Sequence, residues 1–263
     1  MLISMPHIGT EIPDAMRDQL VPRALAVEDT DWHLFRLYNF AKTLGASVLT
    51  PRYSRYVIDL NRPPDDVPMY PGGANTELCP TKFFTGDHLY QEGGAPTSVE
   101  RAERLTKYWR PYHQALSDEL ARLKAHYGFA VLWDAHSIRS QIPWLFDGVL
   151  PDLNVGTADG ASANPIITQS VADAINPADG AAAYARTQYT CAINGRFKGG
   201  YITRHYGNPM QRVHAIQLEQ CQRLYMQETA PFAYDEVKAR AVQPTLFAMA
   251  CAALTSANRL YQP

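Results

Sequence analysis

Two histidines stand just beyond short apolar runs. Leu2-Ile3-Ser4-Met5 leads into Pro6-His7, and Ala130 to Asp134 leads into Ala135-His136. A histidine just past a buried strand can ligate a metal or cap the following loop. Two such histidines, each beside an oxygen donor and near a carboxylate, point to a catalytic metal site. Catalytic zinc takes three mixed His and carboxylate ligands and keeps one position open. The third ligand is then an acid, and Asp31, Asp29, Glu11 and Asp134 are all candidates. Asp31 could instead serve a helix N-terminus, and Asp134 could orient His136 from behind. Glu219 closes a further run, Val213 to Leu218. Beside a metal, a partly buried glutamate with a raised pKa is suited to take a proton from attacking water and pass it to a leaving amine.

Positive charge gathers nearby. Arg55, Asn61 and Arg62 share one segment, and the planar two-pronged guanidinium suits a carboxylate, so the expected partner is a small anionic substrate. Arg139, Lys198 and Arg204, the last two flanking Gly199-Gly200, offer charge for a second carboxylate.

These residues need a scaffold that gathers strand ends. Apolar runs at Leu2 to Met5, Ala46 to Leu49, Arg55 to Asp59, Ala130 to Asp134, Gln188 to Ala192 and His214 to Glu219 read as strands, several apolar on both faces. Helices are expected over Asp31 to Leu44, Ser98 to His126 with an interruption near Pro111, Asn164 to Ile175, and about Glu236 to Leu260. The alternation predicts an α/β fold with a mixed, mostly parallel sheet flanked by helices. In such sheets ligands bind at the carboxyl ends of strands. Pro63 to Pro96 and Pro143 to Ala163 read as irregular excursions, the first able to roof a site. Without a repeat or composition break, residues 1–263 are expected to form a single domain.

Composition narrows the classes of function. Lys+Arg 24 against Asp+Glu 26 gives a net charge of -2, so no global basic field favours nucleic acid. No window approaches the roughly 20 apolar residues of a membrane span, and the start lacks a signal-peptide pattern. A cytoplasmic protein is expected. Cys79, Cys191, Cys221 and Cys251 fit neither a metal knuckle nor a disulfide scaffold, and are expected to be reduced.

Six blocks, PHIGTEIP, DTDWHLFRLY, RYVIDLNRPPDD, WDAHSIRS, FKGGYITRHYG and HAIQLEQCQRLYM, together resemble the N-formylglutamate amidohydrolases along nearly the whole chain. The resemblance implies a fold similar to the zinc carboxypeptidase and phosphorylase/hydrolase-like architecture. It implies zinc-dependent hydrolysis of N-formyl-L-glutamate to L-glutamate and formate, in histidine degradation. It implies substrate carboxylate binding by the Asp59-Leu60-Asn61-Arg62 block and a general base at Glu219. Carboxypeptidase-like relatives use His-x-x-Glu, one residue shorter than His7 to Glu11. The acid of the DTDW block looks like the better family match, so the resemblance implies Asp31 as the third ligand beside His7 and His136, with Glu11 in reserve. Cobalt, manganese or iron would also suit these donors. Arg139 or Arg204 would meet the side-chain carboxylate. The alternatives are a zinc amidase acting on another N-acyl amino acid or peptide, and a non-catalytic dicarboxylate-binding module.

Overall fold

A computed structural model of the chain describes residues 1–69, 75–177 and 188–261. The strands are β1 (Leu2–Ser4), β2 (Ser47–Leu49), β3 (Ala130–Ile138), β4 (Leu153–Gly156), β5 (Cys191–Ile193) and β6 (Val213–Cys221). The helices are α1 (Asp14–Arg17), α2 (Leu34–Leu37), α3 (Ser98–Arg104), α4 (Arg110–Tyr127), α5 (Pro165–Asp173), α6 (Tyr201–Tyr206) and α7 (Glu236–Tyr261). The sheet order is β2-β1-β3-β6-β4-β5. Its β2-β1-β3-β6 portion is parallel, β4 runs antiparallel to β6, and β5 is parallel to β4. This is the mixed, mostly parallel α/β architecture the alternation of runs implies.

Both faces of the sheet are covered, which explains why β3 and β6 read as continuous apolar runs. Val131, Trp133, Ala135, Ile216 and Leu218 share a core with Leu34 and Leu37 of α2, Ile167 and Val171 of α5, and Leu246 and Met249 of α7. On the other face, Leu2, Leu132 and Ala215 pack with Leu116, Leu120 and Leu123 of α4 and Ile202 of α6. Among the described residues, no helix is long and apolar enough to cross a membrane.

Several local expectations are corrected. Residues 55–59 are not a strand. Ser54 Oγ accepts the Tyr56 N–H, Asp59 Oδ1 accepts the Asn61 N–H, and the Ser54 carbonyl accepts the Val57 N–H. Side-chain and local acceptors thus take the donors a ladder would need. The helix expected over Asp31 to Leu44 shrinks to α2 and a 3₁₀ turn at Asn39–Lys42, leaving Asp31 in the preceding loop. The stretch from Ser98 is continuous through α4. It starts from a Thr97/Glu100 capping box, and one widened turn at Leu105–Trp109 precedes Pro111. Within the expected loop Pro143 to Ala163 lies β4, whose polar, glycine-containing sequence becomes a strand only by pairing with β5 and β6. A Cβ on Gly156 would come 2.6 Å from the Gly199 nitrogen, so glycine is needed for that close approach. Of the Pro63 to Pro96 excursion, residues 70–74 lie outside the described residues.

Candidate metal and active site

One face of the sheet changes character along the strands. Leu2, Leu132 and Ala215 are apolar; one pleat on, Ser4, Asp134 and Gln217 are aligned across the ladders; one pleat further, His136 faces Glu219 in register. Period-two alternation puts these side chains on the same face, so the site lies at the carboxyl ends of the central strands. His7 follows β1. Asp31 is drawn to it through the backbone, its N–H donating to the His7 carbonyl at 3.0 Å.

His7 Nδ1, His136 Nδ1 and Asp31 Oδ2 form a triangle with sides of 3.1, 3.3 and 3.7 Å. All three residues are buried, and Asp31 Oδ2 makes no hydrogen bond. A tetrahedral cation with bonds of roughly 2.0–2.1 Å spaces its donors about 3.3 Å apart. The donor set and an otherwise orphaned carboxylate oxygen therefore fit a divalent metal. The outward ring nitrogens fit it too. His7 Nε2 bonds Asp59 Oδ1 at 2.7 Å, and His136 Nε2 lies 3.0 Å from Asp134 Oδ2. A carboxylate behind each imidazole takes the Nε2–H and turns the Nδ1 lone pair to the centre. Asp134 is held in turn by Ser4 Oγ at 2.9 Å. Asp59 is held by Arg55 Nη2 at 2.6 Å.

The electrostatics agree. Burial opposes ionisation of Asp31, but the His136 and His7 rings outweigh it and hold its carboxyl at about 2. Burial also disfavours a charged His136, yet Asp134, Asp31 and Glu219 outweigh it and raise the ring well above its usual value. The surroundings thus stabilise positive charge at this point. Glu219 behaves oppositely: burial pushes its carboxyl up to about 8, with His136 pulling down and Asp31 adding to the rise. Gln217 Nε2 donates to its Oε2 at 3.4 Å.

These groups form the floor of one open cleft. His7, Asp31, His136, Glu219, Arg55, Asn61 and Arg62 line it, as the sequence reading expects of a shared site; Arg139 and Arg204 do not. Arg139 is held by Asp29 at 2.9 Å, and Arg204 Nε donates to the Gly199 carbonyl at 2.8 Å. Asn61 braces the floor rather than the mouth: its Oδ1 accepts the Ile202 N–H, and its Nδ2 points to Asp134 Oδ2 and Gln217 Oε1, each at 3.5 Å. A Cβ on Gly200 would come 2.3 Å from that amide.

The other acids are placed elsewhere. Glu11 pairs with Arg52 on the surface, and Asp29 receives the Phe84 N–H, the Tyr56 hydroxyl and Arg139. Sequence reasoning missed Arg196 and Gln217 in the lining and Asp59 behind His7. Gln217 carried a signal, since it precedes Glu219 by two and so shares its face. Arg196, in a loop, carried none.

A mostly parallel α/β sheet carries, at the carboxyl ends of its strands, a His-Asp-His group able to hold a metal with a buried glutamate beside it, the arrangement of an α/β protein with a candidate metal centre. A model of the family described as N-formylglutamate amidohydrolase matches residues 1–226. The chain is 51% identical over 262 residues to an N-formylglutamate deformylase of Pseudomonas putida, covering 100% of this chain and 95% of that protein. It is 54% identical over 234 residues to an N-formylglutamate deformylase of Pseudomonas aeruginosa, covering 89% and 85%. The crystal structure of N-formylglutamate amidohydrolase from Ralstonia eutropha JMP134 shares the fold, with a TM-score of 0.78 at 24% identity over 95% of this chain and 92% of that one. So does a gene product of Agrobacterium tumefaciens, with a TM-score of 0.70 at 18% identity over 97% and 90%. The chain belongs to the N-formylglutamate amidohydrolase family.

Proposed function

We propose that the chain acts as a single domain that hydrolyses N-formyl-L-glutamate to L-glutamate and formate. It would do so in the cytoplasm, as the last step of a histidine degradation route, with a zinc ion held by His7, Asp31 and His136. The observation that carries this reading is the convergence of three buried donor atoms beside Glu219 on the floor of one arginine-lined cleft. The names of the relatives support the substrate.

A zinc ion there supplies Lewis acidity toward a carbonyl oxygen and brings the pKa of water toward neutrality. The chain's own residues do the rest. Asp59 and Asp134 fix the tautomer and tilt of the two imidazoles. Glu219, buried on the cleft floor and in register with His136, accepts the proton of the attacking water and delivers it to the departing amine nitrogen. Arg55, held by Asp59, and Arg62, held by the Thr76 carbonyl at 2.9 Å, present positive charge to the substrate's α-carboxylate. The low dielectric of the closed floor strengthens each of these interactions.

The test is formate release by purified, zinc-loaded protein from N-formyl-L-glutamate, beside N-acetyl-L-glutamate and N-formyl-L-methionine. Turnover confined to the first compound, abolished by a chelator and restored by zinc, is expected. Turnover indifferent to the chelator would remove the metal from the mechanism. Preference for either other compound would overturn the substrate.

A further inference from the structure

The cleft has a wall that the hydrolytic chemistry leaves unused. Ile138 lies two residues beyond His136 on the same face of β3, about 6.6 Å further along the strand. It belongs to a separate apolar cluster with Phe84 and Ile142, against which Leu145 and Phe197 pack. Phe84, Ile138, Leu145 and Phe197 all face the cleft, and so does Arg196. Arg196 caps this strip: its Nη2 donates to the Leu145 carbonyl at 3.2 Å, and its guanidinium carbon lies 5.4 Å from the centre of the Phe197 ring. The loop carrying it is anchored by close packing, with Gly199 at φ 110 against Gly156.

The cleft thus offers Arg196 as well as Arg55 and Arg62, with Ile138, Leu145 and Phe197 in the same lining. Arg55, 7% exposed, stands behind the metal ligand His7 through their shared partner Asp59. Arg62 faces Thr76 beside it. Arg196 comes from a different segment, the β5–α6 loop, and meets the apolar strip at Leu145. A dicarboxylate whose acyl group lies over the metal ligands has one carboxylate near the reacting end and another beyond a methylene stem.

We propose that Arg196 is the specificity-determining residue that binds the distal carboxylate of the substrate, with Ile138, Leu145 and Phe197 receiving the two methylenes. This rests on the deformylase reading and refines it. The planar fork of Arg196 gives a carboxylate two parallel donors. A neutral amide cannot match the charge-assisted pair of bonds that this fork gives a carboxylate, which is how a polar subsite favours its own substrate over an analogue.

The experiment compares kcat/KM for N-formyl-L-glutamate and N-formyl-L-glutamine in the parent, Arg196→Gln and Arg196→Lys proteins. Arg196→Gln is expected to lose about a hundredfold on the glutamate compound while staying within about threefold of the parent on the glutamine compound. Arg196→Lys should fall between, keeping the charge but not the fork. Equal losses on both substrates would overturn the proposal, because a residue that only supports the Leu145 loop would impair both alike. A parent protein inactive on every N-formyl amino acid would refute the deformylase reading itself, and this proposal with it. A parent that turns over with a ratio unmoved by either substitution would refute Arg196 alone.

Discussion

Replacing Asp59 by asparagine separates two roles that one carboxylate performs. Asp59 is fully buried and accepts from His7 Nε2 at 2.7 Å, Arg55 Nη2 at 2.6 Å and the Asn61 N–H at 2.9 Å. Burial alone would favour its neutral form, but the charges of His7, Arg55 and Arg62 outweigh that and hold it well below the usual carboxylate range. Asparagine has nearly the same shape but carries no charge and only one acceptor oxygen. The loss of an anionic partner behind a metal-ligating histidine costs about 10–100-fold in metal affinity, or about 1.4–2.7 kcal/mol. Leaving Arg55 buried without its counter-ion costs roughly 3–5 kcal/mol of folding free energy. Zinc affinity by competition with a chromophoric chelator reads the first effect. Denaturant unfolding of the metal-free protein reads the second. Glu11→Gln, which breaks the exposed Arg52–Glu11 pair, is the control and should change neither. Zinc affinity within twofold of the parent and an unmoved unfolding midpoint in Asp59→Asn would refute the chain of support running from Arg55 through Asp59 to His7.

Glu219→Gln should keep zinc at one equivalent and lose at least about a hundredfold in kcat, measured by metal analysis and steady-state kinetics; near-native turnover would remove Glu219 as the proton carrier. His113 donates from Nε2 to the Leu60 carbonyl at 2.9 Å, and burial lowers its pKa from 6.5 to about 4. The unfolded chain therefore binds this proton at a higher pH than the folded one. Stability from this group is complete above pH 6.5 and falls by up to roughly 3 kcal/mol as the pH drops toward 4. Unfolding midpoints across that window should flatten in His113→Gln, and an unchanged slope would acquit His113.

How much was legible varies with how locally each feature is determined. β1, β3 and β6 stand out because burial on both faces leaves an unbroken apolar run, and the polar residues ending each run mark the carboxyl ends where the cleft lies. β4 was not legible: Leu153-Asn154-Val155-Gly156 has no strand pattern of its own, and its extended form comes from partners about 40 and 60 residues away in sequence. Residues 55–59 misled in the opposite direction, because Val57-Ile58 reads as apolar while Ser54 and Asp59 divert the backbone donors into turns.

The sequence by itself determined the fold class, the family, and the inventory of histidines, acids and arginines from which a site could be built. Only the tertiary structure decided among them. Asp31 rather than Asp29 or Glu11 meets the histidines because its N–H is bonded to the His7 carbonyl, while Asp29 is held by Arg139 and Glu11 by Arg52. Likewise Arg196, and neither Arg139 nor Arg204, faces the cleft, because the approach of Gly199 to Gly156 sets where its loop runs. Residue type and strand periodicity are local properties, written in consecutive residues. Which charges neutralise one another and which remain facing a cleft depends on contacts between distant segments, and those exist only once the chain has packed.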